Sequence, residues 1–411
     1  MKAFALVALL SVSQRGASAI SDRAQDRFIY STVIDDFKGG FRANDADAKW
    51  NYFGFGPYVG DDGIASTSKP KGGRLTVSSP GTGPTGEPAF TLTAPPTGGV
   101  PGDIDHVKWL VFANATSSAG YPGHDTAAGY VTSCEAQISA TMFGTQANPF
   151  GVNAADPSLG WAGAVNGDFE TFMIFDFALT NDAVYALYER LPFGRSEARN
   201  YASFTALTRV ASRHPGDRHV LKVSYDRSAK TVTWLVGKRE VYKIHRVGFY
   251  PPDRSSVLID RGGVEEEVGE MRQLVCGVGT FTLMDGFVPS LGKGLVRLNQ
   301  QEDYYIHPIT GAPLEFVDDA SADNNRLFGQ GAELIVDSVT VSSAKAGTNG
   351  NNGNNGNNGN NGNNGNNGNN GNNGNNGNNG NNGNNGNNGN GNANGSGHGP
   401  KRMDRAEKGS Q

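Results

Sequence analysis

Between Asp168 and Phe193 the chain reads DFETFMIFDFALTNDAVYALYERLPF. Apolar side chains alternate with others on both sides of Thr180-Asn181-Asp182, and a period of two is the spacing of strands rather than helices. The run predicts two long antiparallel strands joined at that polar turn. Phe169, Met173, Phe175, Phe177 and Leu179 then face a core, while Asp168, Glu170, Phe172, Ile174 and Asp176 face the other way. Three carboxylates among apolar residues suit the partly polar, concave side of a large curved sheet. This places the chain among the large β-sandwiches.

Both ends are set apart from that sandwich. Residues 1–19 carry one early basic residue, an apolar run from Ala3 to Leu10 and the small-residue ending Ala17-Ser18-Ala19, the three parts of a secretory signal peptide cleaved after Ala19. No other stretch is long and apolar enough to span a bilayer. The expected product is therefore secreted, without a membrane span. From residue 345 to 411 the chain is a low-complexity tail, mostly an Asn-Asn-Gly repeat with a charged end. It has almost nothing apolar to bury, so a disordered spacer is expected. Its period of three is not collagen-like, because that helix needs imino acids where this repeat has Asn.

The remainder, residues 27–343, reads as one domain. All four Trp and both Cys fall within it. Clusters of Gly, Pro, Asn and Asp separate short β-rich segments, and no helical periodicity is sustained, so the class is all-β with long decorated loops. The net charge of −5 is spread among interspersed acids and bases, which gives no field for nucleic acid. Cys134 and Cys276 are compatible with one disulfide closing a long loop, or with two buried thiols; only their separation in space decides. No CxxC, HExxH or paired Cys/His spacing points to zinc. Asn114-Ala115-Thr116 is a glycosylation sequon.

An opening VIDDF, then KWNYFG, SCEAQISATMFG, HVLKVSYDRSAKTVTWLVGKREVY and a closing ELIVDSVTVSS occur in an order that resembles the concanavalin-A-like lectin/glucanase jelly rolls, including family-16-type glucanases and laminin-G-like modules. More closely, FETFMIFDFALTN, LPFGRSEARNYASF and RLFGQGAELIVDSVTVSS resemble an uncharacterised domain-of-unknown-function family across nearly all of residues 30–343. The resemblance implies a concanavalin-A-like β-sandwich and no assigned activity.

The family-16 glucanases use an acid-x-Asp-x-acid strand, and retaining cleavage needs two carboxyl groups about 5–5.5 Å apart. Here Asp168-Phe169-Glu170-Thr171-Phe172 lacks the third acid. Asp176 lies about 20 Å beyond Glu170 along an extended strand at ~3.3 Å per residue. That machinery is therefore incomplete. On the returning strand either Glu189 faces Glu170 as an acid/base pair, or Arg190 does as an ion pair, since a one-residue slip exchanges the two.

Carbohydrate binding asks for less: an aromatic platform beside carboxylates that hydrogen-bond hydroxyls. Trp161, between Gly160 and Ala162 in a polar loop, is the expected accessible platform, with Asp168, Glu170, Asp176 and Arg190 beside it. Trp50, Tyr52, Phe53 and Tyr58 are expected mainly to pack. Asp337 in the closing strand matches the position of a structural calcium ligand in the glucanase relatives; calcium, an arginine or backbone amides would serve as its partner. The leading expectation is a secreted carbohydrate-binding sandwich. A glycoside hydrolase or polysaccharide lyase with an unconventional carboxylate pair, and a structural surface protein, are the alternatives.

Overall fold

The computed structural model describes residues 29–54, 60–68, 73–96 and 100–347. Residues 1–19, expected to be a signal peptide, Tyr58 and nearly all of the tail lie outside these residues. Two antiparallel sheets dominate. The first has eight strands, ordered Arg239–Ile244, Thr231–Val236, His219–Asp226, Tyr130–Phe143, Gly331–Lys345, Arg74–Ser78 and Ile64–Ser68, with Tyr30–Asp35 also paired to Gly331–Lys345. The second has nine, ordered Val257–Asp260, Phe204–Ser212, Ala183–Arg190, Met173–Leu179, Trp161–Asp168, Gln273–Phe281, Val107–Ala113 and Trp50–Tyr52, with His124–Asp125 added to Gln273–Phe281. The opening strand thus pairs with the closing one, Tyr30 opposite Ser343, and the whole is a jelly-roll β-sandwich. The only α-helical pieces among the described residues are the single turns Val100–Asp103 and Asp323–Arg326.

The alternating sequence makes the core between the sheets. Cys134, Ala136 and Ile138 from one sheet meet Phe175, Phe177, Tyr188 and Val278 from the other, with Trp50, Trp109 and Trp234 fully buried among them. Cys134 and Cys276, one in each sheet, form a disulfide with Cα atoms 5.6 Å apart. The bridge therefore clamps sheet to sheet through the core.

The nine-stranded sheet is covered on its outer face as well. There Leu110, Phe112, Trp161, Val165, Ile174, Leu187, Leu207 and Phe281 pack against Leu283, Tyr305, Leu314 and Phe316. Covering both faces explains why every residue of Met173–Leu179 is buried, which ordinary half-exposed antiparallel strands are not.

The hairpin around Thr180–Asp182 is present, with Thr180 N–H donating to the Ala183 carbonyl. Its first strand, however, begins at Met173. Asp168 ends the preceding strand Trp161–Asp168, and residues 169–172 form the turn between them, with Phe172 in the left-handed region at φ 60°. The turn resets the alternation. Asp168 is paired with Met173 and Glu189 with Ile174, so Asp168 lies on the core side of the sheet, opposite to Asp176 and Glu189.

Candidate functional site

Asp176 and Glu189 project from adjacent strands onto the outer face of the nine-stranded sheet. Glu189 is opposite Ile174, which puts Asp176 at the diagonal position, about 7–8 Å away by ordinary strand spacing. Both line a cavity of about 90 Å³, whose lining also includes Phe112, Trp161, Phe169 and Phe281 together with His106 and Asp103. The space is roughly that of a few waters or one ring-sized group.

Glycines in the strands beneath let the aromatic wall pack closely on the sheet. Gly163 pairs with Gly279 across neighbouring strands, and a Cβ at Gly279 would lie 2.8 Å from ring carbons of Phe281. The Phe281 ring lies over that glycine and Trp161 stacks on it, with ring centroids 4.1 Å apart.

Burial governs the acids. Asp176 is 3% exposed, and its Oδ1 accepts one backbone hydrogen bond, from Asn166 N–H at 2.8 Å. Desolvation holds its pKa well above the usual carboxylate value, and the nearby Glu189 charge pushes the same way. Glu189 is also raised by burial, opposed by Arg261 and by a 2.5 Å hydrogen bond from Thr205 Oγ1. Burial thus favours the protonated form of Asp176.

A third group comes from loops. His106 Nε2 lies 2.7 Å from Asp285 Oδ1, and the hydroxyl of Tyr305 donates to Asp285 Oδ2 at 2.8 Å. Burial would lower the His106 pKa, but the Asp285 carboxylate outweighs it and the imidazole stands above its ordinary value. Asp285, against the pull of burial, is held below its ordinary value by His106 and Arg261. The Arg261 guanidinium, 5% exposed, feels both Glu189 and Asp285, and its Nε and Nη1 are buried without a hydrogen-bond acceptor.

The other sequence-expected residues lie elsewhere. Asp168 is fully buried and accepts from Gln273 Nε2, Glu170 N–H and Thr171 Oγ1, fastening the turn. Glu170 binds the Arg272 guanidinium and Gln273 at the ends of the central strands, so it pairs with neither Glu189 nor Arg190. Arg190 turns to the opposite side from Glu189, stacks over Tyr201 at 3.9 Å and bonds Glu266 at 2.9 Å. Trp161 is not an accessible platform: it begins a strand, is 2% exposed, and its indole N–H is buried without an acceptor. Asp337 is taken by two cations, Arg74 at 3.0 Å and Arg218 in direct contact. Two guanidiniums on one carboxylate do not fit a calcium ligand. Among the described residues no group of three His, Cys, Asp or Glu is placed to hold a metal.

Sequence reasoning missed His106, Asp285 and Arg261. His106 and Asp285 are 179 residues apart, and nothing in their local patterns marks them as partners.

The model of a family of unknown function, DUF6081, matches residues 34–345. The chain belongs to DUF6081. An uncharacterised protein of Acanthamoeba polyphaga mimivirus is 25% identical to this DUF6081 chain over 333 residues, covering 68% of the chain and 69% of that protein. Solved structures with some likeness include a family GH16 endo-β-1,3(4)-glucanase at 11% identity and a TM-score of 0.34, covering 77% of this chain and 91% of that one. A family 7 alginate lyase follows at 11% identity and 0.31, covering 64% and 81%. The carbohydrate-binding module CBM66 of Bacillus subtilis gives 11% and 0.24, covering 59% and 96%. Likeness this distant leaves the chemistry to be read from the residues.

Proposed function

We propose that this DUF6081 chain is an exported carbohydrate-binding protein and that its site is the cavity over the nine-stranded sheet. The observation that carries this reading is that Asp176 and Glu189 share one aromatic-walled cavity while Asp176 has no cationic partner among the described residues. A protonated carboxyl both donates and accepts, which suits a sugar hydroxyl. Aromatic and aliphatic walls suit the apolar C–H faces of a sugar ring. Trp161 Nε1 and Arg261 Nε and Nη1 are buried donors without an acceptor among the described residues. The cavity size favours one sugar unit, such as a chain end, over an extended polysaccharide. The Cys134–Cys276 bridge supports export, since such bridges persist in oxidising compartments.

The test is a glycan array with the full chain, alongside Asp176→Ala and Glu189→Gln. Selective binding to one glycan class, weakened about tenfold or more in both variants, is expected; one lost charge-assisted hydrogen bond costs about 1.5–3 kcal/mol. A blank array with the unaltered protein would overturn the reading.

A further inference from the structure

We infer that this cavity is catalytic, with His106, oriented by Asp285, as the base that takes a proton from water, and Asp176 as the acid that protonates the leaving oxygen of a glycosidic bond. The inference rests on the carbohydrate reading and adds a reaction to it.

The geometry leads there in three steps. First, Asp285 accepts from His106 Nε2 at 2.7 Å, and a neutral imidazole that donates from one nitrogen accepts at the other. Nδ1 is therefore the basic nitrogen of a residue that lines the cavity. Secondly, Asp285 is itself fixed. Its other oxygen holds the Tyr305 hydroxyl at 2.8 Å, and that hydroxyl accepts from Asn299 N–H at 3.1 Å. Thirdly, the arrangement is expensive as mere packing. Buried ionic groups repay their desolvation poorly, and apolar side chains would seal this face of the sheet at lower cost. Acids and a charged dyad concentrated at a single cavity are the pattern of proton transfer.

The step balances with water as the co-reactant. The water oxygen bonds to the sugar carbon as the bond from that carbon to the leaving oxygen breaks. One water proton passes to His106 Nδ1, and the Asp176 proton passes to the leaving oxygen. Two hydroxyl products result. Exchange with solvent then returns the proton from the imidazolium to the Asp176 carboxylate. Glu189, Asp285 and Arg261 are the charged groups that act on the reacting pair, Asp103 lines the same cavity, and Tyr304 and Tyr305 act behind them on Arg261 and Asp285.

The experiment incubates the full chain with each glycan that it binds on the array and measures new reducing ends, in parallel with calorimetric binding. His106→Gln is expected to lower kcat about 100-fold or more, the usual worth of a positioned base, with affinity within about threefold. Asp285→Asn removes the counter-charge, so the limb of the pH–rate profile that requires neutral His106 is expected to move to lower pH. A purely structural Asp285 would not move it. Tyr305→Phe keeps the ring packing and frees one Asp285 oxygen, which strengthens the carboxylate's hold on the His106 proton, so the same limb is expected to move by a smaller amount to higher pH; it decides the matter if either other variant fails to fold. Binding without new reducing ends, or unchanged turnover in His106→Gln, would overturn the catalytic inference and leave the binding reading standing. A blank array would remove both.

Discussion

Among single residues Asp176 has the clearest consequence, because among the described residues its burial is matched by one backbone hydrogen bond and no cation. Its folded-state pKa lies above its unfolded one. The native protein therefore binds that proton more tightly than the unfolded chain does. The associated stability is fully present below the unfolded carboxylate pKa, about 3.9, and is lost as pH rises through the folded value. Asp176→Asn keeps an oxygen for the Asn166 N–H and never ionises. The variant is expected to be more stable than the parent at pH 8 by at least about 1 kcal/mol, with the difference shrinking towards pH 4. Urea unfolding at the two pH values measures it; equal differences at both would mean that the group does not titrate as described. Glu170 gives the opposite case. Its partner Arg272 holds its pKa below the usual value, but the pair sits partly exposed at the strand ends, where such bridges are worth about 0–1 kcal/mol. Glu170→Gln is expected to leave glycan binding unchanged and to shift the unfolding free energy by less than about 1 kcal/mol, and a loss of binding would return Glu170 to the site.

At the scale of strands, the alternation of Met173–Leu179 and Ala183–Arg190 was legible because burying one stripe of side chains demands a period of two. The turn at 169–172 was not. It is built from Phe-Glu-Thr-Phe and bends at Phe172, without the Gly or Asn that usually marks a left-handed position. That one hidden turn is why Asp168 and Glu170 looked like partners of Asp176. The glycines around Trp161 misled in the other direction. They suggest a loop, yet Gly163 lies within a strand where a Cβ would fall 1.7 Å from the Phe177 carbonyl oxygen. Close approach of backbone, and not a bend, requires glycine there. Gly279 has the same kind of role beneath Phe281, so Gly279→Val should push the ring out of its stack with Trp161. Overpacking of this sort costs about 1–3 kcal/mol. The variant is expected to lose that much stability and to change the near-ultraviolet tryptophan signal, whereas an unaltered spectrum would mean that the Phe281 ring does not rest on the glycine.

For the molecule as a whole, the all-β class follows from local pattern and the sandwich from the resemblance, but the site follows from neither, because the fold assembles it from His106, two central strands, Arg261 and Asp285. Those loops hold position only while the nine-stranded sheet keeps its place on its partner. The Cys134–Cys276 bridge is the covalent part of that hold, since it joins the two sheets across a sequence separation of 142 residues. Closing so long a loop removes unfolded-state entropy worth roughly 5 kcal/mol in the chain-entropy model, and native bridges typically contribute about 2–5. Replacing both cysteines by serine removes that constraint and also places two hydroxyls in the apolar core, whereas alanine avoids the second effect. The double alanine variant is expected to melt roughly 3–8 °C lower. Because the cavity lies on the far face of the nine-stranded sheet from the bridge, its glycan affinity well below the melting temperature is expected to stay within about threefold of the parent. Scanning calorimetry and titration on the same samples separate the two effects. If affinity fell with the fold otherwise intact, the bridge would be holding the site's geometry as well as the sandwich. An unchanged melting temperature would mean that the core packing of Phe175, Phe177, Tyr188 and Trp234 already fixes one sheet on the other without it.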